Sequence, residues 1–187
     1  MKESQPILDA AEGKKVTPEK MEFSFLVVKP NATRAGLVGV LRQELIGAEF
    51  CIVAEQKVGI SRYAAEVFYN HLGKKRGPVI EHITSGDSYV FLIYGLGVIR
   101  KLRELQGHTE WKDRPAKGLR GKYAVDHIQN SVHCPDSYKE SVIGFEQVFA
   151  DLKEKMLKSQ LADELFEFLT DKEALENGER YISAYAV

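Results

Sequence analysis

The chain predicts an α/β sandwich, helices packed over a small sheet, from two recurring patterns in its 187 residues. The first is a set of compact apolar, β-branched and aromatic runs at 23–28, 50–58 and 88–94, each bounded by turn residues and short enough to be buried strands. The second is the helical spacing that follows each run: Leu37, Val40, Leu41 and Leu45, then Val67, Phe68 and Leu72, then Val98, Ile99, Leu102 and Leu105. A fourth strand over 123–128 and a helix behind it complete a β-α-β-α-β-α-β-α order, in which the strands need not be parallel.

Each element has its own start and stop signals. Lys29-Pro30 ends the first strand and leaves a lysine at its C-terminal end, and Asn31 to Gly36 supply the turn before a helix that stops at Gly47. Gly59 ends the second strand, and Ser61 caps a helix with Tyr69 near its end. Gly73-Lys-Lys-Arg-Gly-Pro78 is a basic turn, either a solvated loop or part of an anion funnel, ahead of a short helix over 79–84. Gly86-Asp87 and Gly95 bracket the third strand, and on the next helix Arg100 and Arg103 fall off the core stripe. Residues 106–119 have no period and carry Gly107, Pro115 and Gly118; a loop that long in a small domain is usually functional. Residues 1–22 are polar and read as a loose N-terminal extension, 23–149 as the domain, and 150–187 as a C-terminal helical extension. In that extension Leu152, Met156, Leu161, Leu165, Phe168 and Leu169 form a long arm, and Thr170 with Glu173 caps a further helix ending at Asn177-Gly178.

Composition bounds the function. A hydrophobic share of 44%, a charged share of 28% and a formal net charge of -1 describe a globular protein with no bias toward nucleic acid or a membrane surface. Cys51 and Cys134 make neither a disulfide framework nor a zinc spacing, which points to a reducing compartment. The N-terminus lacks the apolar core of a secretory signal and no run reaches the roughly 18 apolar residues of a membrane span, so the expected location is cytoplasmic.

The chemistry concentrates in the stretch from Arg120 to Glu140. Ser137 followed by Glu140 reads as a capping box, which puts His133 just ahead of a helix start, where unpaired N–H groups suit a phosphoryl group. A histidine there is either a satisfied core residue or a chemical group. With Lys29, Tyr69, Arg103, Thr109, Arg120 and Asn130 it makes one nucleophile among cations, hydroxyls and an amide, a set suited to phosphoryl transfer. No Walker sequence or protein-kinase catalytic loop is present, so a nucleotide site would be of another kind.

Val28-Lys29-Pro30-Asn31, Arg34-Ala-Gly-Leu-Val-Gly39, Gly107-His-Thr109, Leu119-Arg-Gly121 and Asn130-Ser-Val-His-Cys-Pro-Asp-Ser137, in that order and spacing, resemble the nucleoside diphosphate kinase family over about 23–149. The resemblance implies a ferredoxin-like sandwich on a four-stranded antiparallel sheet, assembled as a homo-oligomer, hexamer or tetramer. It implies ping-pong transfer of the γ-phosphate of a nucleoside triphosphate to a nucleoside diphosphate through phosphohistidine at His133, with Mg2+ carried by the nucleotide rather than by a protein metal site. By the same match Arg103, Thr109 and Arg120 contact phosphates, Lys29 and Asn130 reach the ribose, and Tyr69 stands beside the imidazole.

The chain also departs from the family. Pro135 stands where a serine is usual, Gly144 where a glutamate orients the imidazole, Gly77-Pro78 near where an aromatic ring stacks on the base, and Glu110-Trp111 where the loop usually begins Asn-Pro. Glu140 or Glu146 is the available replacement carboxylate. Those departures support a second expectation, a nucleotide-binding regulatory or scaffold module with weak or no turnover.

Overall fold

The computed structural model describes residues 7–8, 15–16, 19–107 and 118–177. In chain order the elements are β1 (Ile7–Leu8), β2 (Lys15–Val16), β3 (Met21–Val28), α1 (Pro30–Arg34), α2 (Val38–Gly47), β4 (Cys51–Gly59) and α3 (Arg62–Phe68). A 3-10 turn (Asn70–Arg76), α4 (Gly77–Ile83), β5 (Asp87–Leu96), α5 (Val98–Gln106), α6 (Gly118–Tyr123) and β6 (Val132–His133) follow. α7 (Tyr138–Ile143) runs into a π-helical turn (Gly144–Val148), and α8 (Ala150–Met156), α9 (Ala162–Thr170) and α10 (Lys172–Asn177) complete the described chain.

β1 pairs with β2, and the main sheet runs β4-β5-β3-β6 with every pair antiparallel, which is the expected ferredoxin-like arrangement. β3 is central and covered on both faces: Phe23, Phe25, Leu26, Val27 and Val28 are all fully buried. That is why its apolar run is continuous, whereas edge strand β4 is only partly buried.

Four expectations need correction. Residues 123–128 are not a strand: Tyr123 ends α6, and Asp126 Oδ1 then accepts the N–H groups of Ile128 and Gln129, each at 2.7 Å. A carboxylate that captures local backbone donors favours a turn over a ladder, and the fourth strand is the two-residue β6 instead. The basic segment after Gly73 is a 3-10 turn, and α4 begins at Gly77 with Pro78 in its first turn, where its missing N–H costs nothing. The C-terminal arm is broken into α8 and α9, and Asp171 rather than Thr170 caps α10, its Oδ1 accepting the Ala174 N–H at 3.0 Å while Thr170 bonds back to Phe166. The segment before residue 23 is tied down where it is described: Met21 and Glu22 belong to β3, and the buried Glu22 carboxylate accepts the Ile99 N–H at 3.2 Å.

The arm packs on the body. Leu152, Met156, Leu165 and Phe168 are buried, the Phe168 ring lies 4.4 Å from that of Tyr138 and 5.7 Å from that of Phe23, and the Tyr138 hydroxyl donates to the Phe168 carbonyl.

Candidate active site

His133 is placed by the ladder between β6 and β3, where it faces Val27 while Val132 faces Val28. The residue just after β3, Lys29, donates its N–H to the Ser131 carbonyl at 2.8 Å, extending that pairing to the residues before His133. Ser131 has φ 67, a left-handed conformation that is strained for a side-chain-bearing residue, and the Val132 N–H closes a tight turn onto the Asn130 carbonyl at 2.8 Å. The Ser131 hydroxyl, donating to the Tyr123 carbonyl, holds it there. The result delivers Asn130 against Lys29, whose Nζ donates to Asn130 Oδ1 at 2.7 Å.

His133 is 7% exposed, and its ring packs against two neighbouring aromatic rings at the end of α3 and its cap, Phe68 at 5.2 Å and Tyr69 at 5.3 Å between centroids. Tyr69 is buried and its hydroxyl has no partner among the described residues; burial, opposed by Arg120 and aided by the smaller effect of Glu140, raises its pKa, so it is a neutral donor. Lys29 Nζ lies 5.6 Å from the centre of the same ring.

α6 supplies Arg120, whose Nε and Nη2 both donate to the Val132 carbonyl, at 3.2 and 3.1 Å, gripping the residue before the histidine. α5 supplies Arg103, whose buried Nε has no partner among the described residues, and Gln106, whose Oε1 accepts the Cys134 N–H at 2.7 Å. Arg100, the other arginine off the helical stripe, faces away and bonds Glu104 at 3.1 Å and Glu19 on the surface. Burial and neighbouring charge act on two of the site cations. Desolvation and then Arg120 hold Lys29 well below the usual lysine range, and desolvation and then Arg103 bring Arg120 down to about 10.

Thr109 lies outside the described residues. Gly118 has φ +75, and a Cβ there would stand 2.6 Å from the Leu105 carbonyl oxygen and 2.9 Å from Gly107. Only glycine allows that approach of the start of α6 to the end of α5.

On its other side His133 opens into a cleft of about 380 Å³, lined also by Phe25, Phe68, Pro135, Lys139 and Glu140. Both departures beside the histidine are visible here. Pro135 is in the wall, and Gly144 is pressed against the Phe25 ring so closely that any Cβ would overlap it. Of the two replacement carboxylates, Glu140 lines the cleft, while Glu146 pairs with Lys153 at 2.8 Å on the surface.

With this geometry in hand, comparison with known proteins is decisive. The sequence profile of the family described as nucleoside diphosphate kinase matches residues 22–153. The chain belongs to the nucleoside diphosphate kinase family. A nucleoside diphosphate kinase of Rhizobium etli (strain CIAT 652) is 33% identical over 134 residues, spanning 70% of this chain and 95% of the relative. One from Saccharolobus islandicus (strain L.S.2.15 / Lassen #1) is 30% identical over 123 residues, 65% of this chain and 89% of that protein. Among solved structures, the Aquifex aeolicus nucleoside diphosphate kinase superposes with a TM-score of 0.61 at 23% identity, covering 67% of this chain and 93% of the other. The Halobacterium salinarum enzyme, solved in complex with CDP, gives 0.59 at 27% identity, covering 63% and 78%.

Sequence reasoning missed Phe25 and Phe68, which wall the histidine, Gln106, which fixes the Cys134 backbone, and Asp126, which makes the turn leading to Asn130. Phe25 and Phe68 looked like ordinary core positions. Asp126, three residues before Gln129 in a run called a strand, was the one legible signal.

Proposed function

We propose that the chain transfers the γ-phosphate of a nucleoside triphosphate to a nucleoside diphosphate through a phosphohistidine at His133. The observation that carries this reading is the cluster of Lys29, Arg103 and Arg120, buried wholly or in part around the histidine strand, in which Lys29 and Arg120 are held below their usual ranges by desolvation and then by a neighbouring arginine. Like charges held together in a desolvated place are stabilised by a multiply charged anion.

In the first half-reaction a ring nitrogen of His133 bonds to the γ-phosphorus as the bond to the β–γ bridging oxygen breaks, and the nucleoside diphosphate leaves with that electron pair. In the second a terminal oxygen of another nucleoside diphosphate takes the phosphoryl group and frees the imidazole. Arg103 and Arg120 neutralise the phosphate oxygens, and the neutral Tyr69 hydroxyl donates beside the ring. Lys29 and Asn130 hold the ribose hydroxyls, and Thr109 contacts phosphate. None of these contacts reads a base edge, so the site suits acceptors of any base.

Mg2+ would be bound through the nucleotide phosphates, since the side chains proposed to contact them, Arg103, Arg120 and Thr109, are cationic or neutral and none is a carboxylate. The ion supplies further charge neutralisation on the phosphates. In this reading 23–149 is the catalytic domain, with Met21 and Glu22 of the N-terminal segment joined to its sheet and 150–187 a C-terminal extension whose helices pack on it, in a cytoplasmic homo-oligomer, hexamer or tetramer. No helix among the described residues is long and apolar enough to cross a membrane.

Initial rates with γ-labelled ATP and CDP test the scheme. Double-reciprocal lines at several CDP concentrations should be parallel; intersecting lines would contradict a covalent intermediate. The second reading, a binding module, is favoured by Pro135 and by Phe25 filling the place beside Gly144, and it requires nucleotide binding with no transfer.

A further inference from the structure

The helix after His133 cannot carry a carboxylate at position 144, because the Phe25 ring occupies the space a Cβ would need. One turn earlier on the same face it carries Glu140. We propose that Glu140 is the positioning residue for His133, accepting a hydrogen bond from one imidazole nitrogen so that the other presents its lone pair to phosphorus.

The local structure is built for this. Glu140 and His133 line one cleft, and the peptide between them is short and pinned at both ends: the Cys134 N–H donates to Gln106 Oε1 at 2.7 Å, and the Ser137 hydroxyl accepts the Glu140 N–H at 3.2 Å. The carboxylate is itself oriented, since Glu140 Oε2 accepts the Asp136 N–H at 3.1 Å. A capping box would direct this side chain to the Ser137 N–H, so the contact one residue earlier turns the carboxylate toward the segment that bears the histidine. Tyr69, whose ring packs on that of His133, registers the Glu140 charge behind the larger effects of its own burial and of the opposing Arg120. A carboxylate on one ring nitrogen fixes the tautomer, which decides which nitrogen is nucleophilic.

The proposal rests on the phosphohistidine reading, and two measurements keep the two separable. Glu140→Gln retains an acceptor for the Asp136 N–H while removing the charge. It should slow single-turnover phosphorylation of His133 by γ-labelled ATP by about 10- to 100-fold, the usual value of a histidine's orienting partner, with CDP affinity unchanged. Glu140→Asp, which keeps the charge, should recover part of that rate. In nitrogen-15 spectra of the nucleotide-free protein, the His133 ring should be one dominant tautomer in the parent chain and a mixture in Glu140→Gln. A parent-like rate and tautomer in Glu140→Gln would overturn the assignment. If the parent chain forms no phosphohistidine, the function proposed above fails, while the tautomer comparison still decides the role of Glu140.

Discussion

Arg120 illustrates how one side chain can serve both fold and chemistry. Its guanidinium grips the Val132 carbonyl through two nitrogens and lies in the field of Arg103, so it orients the histidine strand and adds to the positive charge of the site. Replacing it with alanine should weaken nucleoside triphosphate binding by about 1.5–3 kcal/mol, the range for hydrogen bonds to charged groups, and nucleoside binding much less. Calorimetric titration with ATP and with adenosine checks this; equal losses would contradict the phosphate role. Cys134 gives a second prediction at this scale. It is buried and desolvation pushes its thiol up to about 11, so the neutral form prevails below that pH, whereas Cys51 is exposed. Iodoacetamide near neutral pH should modify Cys51 and spare Cys134 by peptide mass spectrometry, with Cys134 reacting only as the pH approaches 11.

The elements around the site show what their sequences could and could not reveal. The Ser137 cap was legible because a hydroxyl three residues before Glu140 has one good use at a helix start, and its Oγ does accept the Glu140 N–H. β3 and β5 were legible because buried strands read as continuous apolar runs. β6 was not: two residues cannot generate a periodic signal, and the β-branched run before it was overridden by the Asp126 turn and the left-handed Ser131. The site cations were legible as residue types, but the depression of Lys29 and Arg120 depends on burial created by other elements. Gly144 was visible only as a missing carboxylate, and the fold supplies the reason, the Phe25 ring in its place. Gly144→Ala should therefore cost about 1–3 kcal/mol through overpacking, read as a lower urea midpoint at constant slope.

For the whole molecule, the C-terminal arm is part of the core rather than an appendage. Phe168 is 4% exposed and packs on Tyr138, Phe23 and Phe145, so α9 covers the same β3 and α7 that carry or adjoin the site. Phe168→Ala should destabilise the fold by about 3–5 kcal/mol, a large share of a typical 5–15 kcal/mol, measured by urea denaturation. A change below about 1 kcal/mol would show that the arm is dispensable. The helical spacing of its apolar residues made the arm legible, but its break between Met156 and Ala162, where the Ser159 hydroxyl donates to the Met156 carbonyl and accepts the Leu161 N–H, was not, nor was the packing of Phe168 on the distant Phe23. The central claim about the whole molecule is that this sheet and its helices hold His133 as a covalent phosphoryl carrier. Incubation with γ-labelled ATP and magnesium in the absence of acceptor tests it most directly: the account predicts an acid-labile, base-stable label on the parent chain that is lost in His133→Ala, and no label on a parent chain that still binds nucleotide would contradict it.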